Sequence, residues 1–361
     1  MGKKVTLQEM AKLAGVSVAT VSRVFRGTTR VRPEIAARVR SSALKLGVNL
    51  SDQAGARIAG FLLSNRRILH GFHSRVLLGA EEYFAAHDYS LMFASLAYDP
   101  RAELQDVHMP SILQRGNGVC GYILAVRISP NLMEYLHRRG IPFAVLGNNV
   151  IGDWQNKPYD VVWFDDSQAT YELTRFLESL GHKEMCFIGH SGLPWSTRRY
   201  EGYRRAMTEA GLDPQLSAAD ADDYFEVGYM AAKSALRRGR ALTAIVAASD
   251  AIAQGVYWAL SDSHLEIPRD VSVTGFDDVG AAFLHPPLTT VRAFPEQIGK
   301  RLAEMLLNRV AHPDLPPQRC MIPTQVVRRG SHHSPPNPPK VGVEGHEELA
   351  HGLTGILDRP A

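Results

Sequence analysis

The stretch Val5-Thr-Leu-Gln-Glu-Met-Ala-Lys-Leu-Ala-Gly-Val-Ser-Val-Ala-Thr-Val-Ser-Arg-Val-Phe-Arg26 decides how the chain begins. Leu7, Met10, Ala11 and Leu13/Ala14 recur at helical spacing. Thr6 precedes them with Glu9 three residues on, the arrangement of a capping box. Gly15 sits where the first helix must stop, because glycine adopts a left-handed conformation without steric cost. Ser17 then caps a second helix with apolar positions at Val18, Val21, Val24 and Phe25. Two short helices around a glycine-bearing turn form a helix-turn-helix, whose second helix reads the major groove of DNA. Ser17, Thr20 and Ser22 are suited to gripping phosphates, and Arg23 to a two-pronged contact with guanine. A plain α-helical hairpin has the same spacing, so the pattern alone leaves both readings open.

Working outward, Pro33 opens a third helix over 33–46, with Ile35, Val39, Ala43, Leu44 and Leu46 as its apolar face. Residues 1–47 carry ten Lys and Arg against Glu9 and Glu34, although the whole chain has a formal charge of only +3. Cation concentrated at one end marks that end as the polyanion-binding part.

At 361 residues the chain is too long for one core. Cys120, Cys186 and Cys320 lie apart, without disulfide or zinc spacing, and read as free thiols in a reducing compartment. No signal-peptide run and no membrane-span run is seen, so a cytoplasmic protein is expected. From residue 58 the pattern alternates strand and helix. Strands are expected near 58–63, 90–95, 121–126, 142–147, 160–164, 185–189, 243–248 and 271–275, with a helix over about 72–87. Two similar halves, 58–160 and 161–292, imply an α/β architecture of two doubly wound parallel sheets. A ligand would bind between them, at the carboxyl ends of the strands. There Arg199 and Asp250 follow two strands; an arginine fork and a carboxylate facing one cleft can hold vicinal hydroxyls. Phe72, Trp195 and Tyr224 could stack on a sugar face. Read singly, Asp250 is as good a helix cap, Arg199 could lie on the surface, and Trp195 could be core.

Residues 5–47 resemble the DNA-binding head of the lac/galactose repressor (LacI/GalR) family, above all the run Ala14-Gly-Val-Ser-Val-Ala-Thr-Val-Ser-Arg23, and later blocks match in order to about residue 331. The resemblance implies an all-α helix-turn-helix head (1–47), a hinge (48–57) and a two-lobed, periplasmic-binding-protein-like domain (58–330). Lobe 1 would take 58–160 and 293–322, and lobe 2 would take 161–292 and 323–330. Helix 295–311 would return to lobe 1. By resemblance Val18, Ala19 and Arg23 read base edges, while Thr6, Ser17, Thr20 and Ser22 grip phosphates. Arg26 and Arg32 depart from the family by adding positive charge near the DNA backbone. The hinge is shortened and lacks the family's proline and wedge leucine, with Arg57 where the leucine would fall.

Arg199-Tyr-Glu-Gly-Tyr203 and Ala248-Ser-Asp250 match blocks that supply effector contacts in the family, and Phe72 with His73 match its cleft-lining pair. Asn148, Trp195, Tyr224 and Asp277 complete the expected effector set, with His190 a further strand-end candidate. The implied partners are a near-palindromic double-stranded DNA operator, a small-molecule effector of sugar type and a second copy in a homodimer. No membrane, metal or cofactor is expected. No nucleophile elbow, phosphate loop or His-Glu-x-x-His motif occurs, so an enzyme is not expected. Residues 331–361, with Pro335, Pro336, Pro338 and Pro339, read as a disordered tail. The competing reading is a cytoplasmic sugar-binding protein whose head is impaired by the short hinge.

Overall fold

The computed structural model describes residues 6–26, 31–46, 57–65, 69–101, 118–239 and 241–335. The hinge before Arg57, the side chain of Arg26 and the tail beyond residue 335 lie outside the described residues.

The head consists of α1 (Leu7–Ala14), α2 (Val18–Arg26) and α3 (Pro33–Lys45). The capping box forms: the Thr6 N–H donates to Glu9 Oε2 at 2.8 Å, and the Glu9 N–H donates to Thr6 Oγ1 at 3.3 Å. Gly15 is left-handed at φ 62°. The Thr20 N–H donates to Ser17 Oγ at 3.1 Å, so Ser17 caps α2. Met10, Ala11, Ala14, Val21, Val39 and Ala43 make the small core. Arg38, counted with the polyanion-binding charges, has a structural task. Its Nη2 donates to the carbonyls of Ala14 (2.6 Å) and Gly15 (3.2 Å), which α1 leaves without helical partners.

Lobe 1 begins with β1 (Ile58–Ser64), α4 (Gly71–Ala86), β2 (Ser90–Leu96), β3 (Val119–Leu124), α5 (Pro130–Arg138), β4 (Phe143–Leu146) and β5 (Asp160–Trp163). The chain crosses to lobe 2 for α6 (Asp166–Ser179), β6 (Met185–His190), α7 (Pro194–Glu209), β7 (Gln215–Ala219), α8 (Tyr224–Arg237), β8 (Ala244–Ala247), α9 (Asp250–Ser261), β9 (Ser272–Asp277) and β10 (Thr289–Arg292). It returns for α10 (Pro295–Ala311) and β11 (Arg319–Met321), then crosses a third time to β12 (Gln325–Val327).

The strand orders are β11-β5-β4-β3-β1-β2 and β12-β10-β9-β8-β6-β7. Pairing is parallel except between β10 and β12. The central strands are buried along their length, as expected for parallel sheets covered on both faces. α10 packs on α4 so closely that a Cβ on Gly79 would lie 2.0 Å from the Glu296 carbonyl oxygen, and one on Gly299 1.9 Å from that of Val76.

Three expectations are corrected. The first crossover follows residue 163 rather than 160, because β5 is hydrogen-bonded between β4 and β11 in the first sheet. β7 is an additional strand; its sequence Gln-Leu-Ser-Ala-Ala has no apolar run because it lies at a sheet edge with one side chain buried. The tail does not begin at 331. Ser331 is fully buried, its hydroxyl donating to the Val273 carbonyl (2.6 Å) and accepting from the Thr289 N–H (2.8 Å). The His333 carbonyl accepts from Ser272 Oγ (3.1 Å) and lies 2.8 Å from His182 Nε2. Residues 331–335 thus finish lobe 2.

Candidate DNA-reading helix and effector cleft

On α2, Ser17, Val18, Ala19 and Arg23 are exposed, while Thr20 and Ser22 are half-buried. Val18 is 42% exposed although the spacing placed it in the apolar stripe; Val21 carries the packing instead. An exposed valine beside Ala19 and Arg23 gives the start of α2 a small apolar patch next to a cation, a surface able to meet thymine methyl groups and guanine edges. Thr6 stands at the start of α1 with its hydroxyl engaged in the capping box. Arg57 is not brought to this surface. Its guanidinium lies 5.7 Å from the ring centre of Tyr89, and its carbonyl accepts from the Ser90 N–H, so it belongs to the edge of lobe 1.

The second site is the cleft between the lobes, holding a cavity of about 420 Å³. Phe72 lines it from lobe 1, and Tyr224, Asp250 and Asp277 line it from lobe 2. Arg199 and Trp195 lie behind this wall. Arg199 is 3% exposed; Nη1 donates to the Ala248 carbonyl at 2.5 Å and Nη2 to Asp277 Oδ1 at 3.1 Å. Its guanidinium carbon is 3.7 Å from the ring centre of Phe276 and 4.9 Å from that of Trp195. Its Nε is buried without a hydrogen-bond partner. The guanidinium is thus fixed among rings with one buried donor unused.

The two aspartates differ. Asp277 ends β9 at φ 109°, a conformation costly for a non-glycine residue, and is 8% exposed. Burial raises its carboxyl to about 6, while the Arg199 charge pulls the other way. Asp278, at φ 57°, is clamped by Arg292 Nε and Arg329 Nη2, both at 2.6 Å, which holds the strained turn. Asp250 opens α9 behind the Ser249 cap, and both its oxygens are engaged: Oδ1 accepts from Thr290 Oγ1 (2.6 Å) and Oδ2 from the Val279 N–H (2.7 Å). Burial, then the neighbouring Asp277, raises its carboxyl well above the ordinary value. Asp250 chiefly builds the wall, whereas Asp277 lines the cavity with Arg199 paired to it from behind.

Two expected residues are turned elsewhere. Asn148 is 2% exposed, and its amide both donates to the Phe164 carbonyl (2.8 Å) and accepts from the Phe164 N–H (3.1 Å). This pairs backbone groups that the crossover leaves without a ladder partner. His73 is buried with Nε2 3.0 Å from Asn149 Nδ2, inside lobe 1. His190 lies beside the cleft, Nε2 3.4 Å from Asp220 Oδ1 and edge-on to Tyr224. The sequence reading missed His70 and Gln254, which line the cavity together with Ser249. His70 stacks on Tyr224 across the cleft, ring centres 3.7 Å apart and 7° from parallel. No periodicity marks it, since it precedes α4 as a lone polar residue.

The cleft thus offers aromatic faces, one arginine–aspartate pair and a second buried carboxylate. Among the described residues no group of three or more His, Cys, Asp or Glu could hold a metal ion, and no helix is long and apolar enough to cross a membrane.

Residues 6–47 match the family described as bacterial regulatory proteins, lacI family, and residues 174–332 match the periplasmic binding protein-like domain. Together they span more than half of the chain. The ribose operon repressor of Escherichia coli (strain K12) is 29% identical over 343 residues, 90% of this chain and 99% of that protein. The HTH-type transcriptional repressor PurR of Actinobacillus pleuropneumoniae serotype 3 (strain JL03) is 29% identical over 316 residues, 84% of this chain and 91% of that protein. Among solved structures, the transcriptional regulator CelR–cellobiose complex is 25% identical with a TM-score of 0.66, covering 91% of this chain and 100% of that one. The lac repressor dimer bound to operator and an anti-inducer shares the fold at a TM-score of 0.71 and 22% identity, covering 92% of this chain and 100% of that one. These relatives are transcriptional repressors and regulators, not enzymes. The chain thus joins a lacI-family helix-turn-helix domain to a periplasmic-binding-protein-like domain, and it aligns with transcriptional repressors of that build over nearly their full length.

Proposed function

We propose that the chain is a sequence-specific transcriptional repressor, acting in the cytoplasm as a homodimer on a near-palindromic operator and controlled by a sugar bound between its lobes. The observation that carries this reading is the Arg199–Asp277 pair beside the cavity, with Phe72 and Tyr224 on its walls. An arginine donor and a carboxylate acceptor side by side match a pair of neighbouring hydroxyls, and the rings match the apolar face of a pyranose or furanose. The charge balance favours a neutral ligand over a phosphorylated one. Arg199 is already paired, and Asp250 and Asp277 both line the wall. A phosphate there would meet carboxylate without a free guanidinium or ammonium among the cavity-lining residues.

The dimer has a surface to use. Phe283 is 90% and Trp258 60% exposed, and they line one groove on lobe 2 together with Leu265, Ile267 and Leu284. Apolar rings exposed together mark an association face, and a second copy brings the matching face by two-fold symmetry.

The test is fluorescence anisotropy of the full chain on its own upstream DNA and on a scrambled duplex, at several salt concentrations, with and without a panel of neutral and phosphorylated sugars. Tight binding to one palindromic site, changed by a neutral sugar, is the expected result. Equal weak binding to both duplexes that collapses with salt would replace this reading with that of a sugar-binding protein whose head only grips phosphates.

A further inference from the structure

α7 presents two consecutive arginines to different places. Arg199 reaches Asp277 and Ala248 at the cleft. Arg198 reaches the first crossover between the lobes. Its Nε lies 3.0 Å from Asp166 Oδ1 and its Nη2 3.1 Å from Asp166 Oδ2, a two-pronged grip on a carboxylate that is 2% exposed. The same Nη2 donates to the Asn148 carbonyl, in the loop that follows β4 of lobe 1. Asn148 in turn holds both backbone groups of Phe164. The Phe164 ring sits between the lobes, 6.1 Å from Phe72 of lobe 1 and 6.0 Å from Phe276 of lobe 2. Arg199 itself lies 5.9 Å from that ring. One helical turn therefore carries a side chain at the ligand cavity and a side chain bolted to the segment about which the lobes turn.

We propose that Arg198 is the brace that sets the angle between the lobes, and that α7 transmits occupancy of the cleft to that angle through it. The reasoning is geometric. A planar guanidinium holding a carboxylate by two bonds and a carbonyl by a third fixes α7, α6 and the β4–β5 loop as one unit. A ligand that draws on Arg199 displaces the second turn of α7, and Arg198 must follow because backbone joins the two. The displacement is then delivered to Asn148 and Asp166, on opposite sides of the crossover. Two sites and one two-state element between them are what coupling requires. The transmission half of this proposal rests on the cleft being the effector site; the brace half does not.

The experiment uses the full chain with spin labels on Glu82→Cys in α4 and Lys183→Cys in lobe 2, in a Cys120→Ser, Cys320→Ser background, diluted with unlabelled chain. Electron–electron double resonance reads the distance between lobes with no ligand present. The unbraced variants are Arg198→Gln and Asp166→Asn, with Arg198→Lys retaining the charge but not the fork. The parent is expected to give one narrow distance, and all three variants a distribution about twofold wider or displaced, with circular dichroism unchanged. A parent-like distribution in Arg198→Gln and Asp166→Asn would overturn the brace.

A second arm uses D-ribose, D-glucose and cellobiose as probes by calorimetry and operator anisotropy. Arg198→Gln is expected to bind the active sugar within about threefold of the parent while losing most of the sugar's effect on operator affinity. An undiminished effect would overturn the transmission. If none of the sugars binds the parent, the assignment of the cleft fails, and the spin-label distances still decide the brace.

Discussion

Replacing Arg199 with alanine tests the cleft through its effect on stability, and the size of that effect must depend on pH. Asp277 titrates at about 6 against an ordinary 3.8, with Arg199 3.1 Å away holding it below what burial alone would impose. A folded-state value raised above the unfolded one contributes stability below the ordinary value, and that contribution is lost as pH rises through the folded value. In the intact protein the loss is complete near pH 7 and amounts to about 3 kcal/mol. Without Arg199 the lone buried carboxyl keeps its proton further up the scale. The loss then continues at about 1.4 kcal/mol per pH unit above 6. At pH 5 the carboxyl is mostly protonated in both proteins and contributes nothing to their difference. What remains there is the packing of the guanidinium on Phe276 and Trp195, offset by release of its own desolvation, about 2 kcal/mol. The expected difference is therefore about 2 kcal/mol at pH 5 and between about 4 and 5 kcal/mol at pH 8. Urea unfolding followed by tryptophan fluorescence at pH 5, 6, 7 and 8 measures it. A difference that stays flat across this range would refute the electrostatic account of the Arg199–Asp277 pair.

Other outcomes follow from the same structure. Arg23→Ala should weaken operator binding by about 1–3 kcal/mol and relax preference at one base position, measured by anisotropy on a set of single-base operator variants. An unchanged preference would show that Arg23 touches only backbone. Thr6→Ala removes the acceptor for the Glu9 N–H and should cost the head about 1 kcal/mol, seen as a lower unfolding midpoint by circular dichroism. Phe283→Asp should shift the chain from dimer to monomer in sedimentation and reduce operator affinity without unfolding lobe 2; a dimer of unchanged strength would move the interface elsewhere.

The alternation of apolar runs and amphipathic helices made the two sheets legible, because buried parallel strands read as continuous Val, Ile, Leu and Ala. The family resemblance supplied what the pattern did not, helix 295–311 and the strand near 323–330; in the structure α10 packs on α4 and β12 joins the second sheet. β7 was invisible because an edge strand with one buried side chain needs no apolar run. The cleft was legible as a set of strand ends, and Phe72, Tyr224, Asp250 and Asp277 do line it. What the chain's letters did not carry is the direction of each side chain. Asn148 and Asp277 both stand at strand ends, yet Asn148 pairs backbone at the crossover and Asp277 faces the cavity. His70 escaped notice for the reverse reason: its role exists only because Tyr224, distant in sequence, is brought against it.

The last two crossovers have a consequence for how the molecule is made. Lobe 1 is opened at residue 58 but finished by β11, whose Arg319 pairs with Val161 of β5. The Arg309 guanidinium closes the same seam on the Asp160 carboxylate at 2.8 and 2.9 Å. During synthesis, a nascent chain that ends before this segment carries an open sheet edge at β5 and an apolar face that awaits α10. Lobe 2 is contiguous from α6 to β10 but waits as well, because β10 gains its second neighbour only from β12 and Ser331 is buried against β9 and β10. Both lobes are therefore completed only by the last described segment of the chain, lobe 1 at β11 and lobe 2 just after it, and truncation near residue 310 leaves an open edge on each sheet.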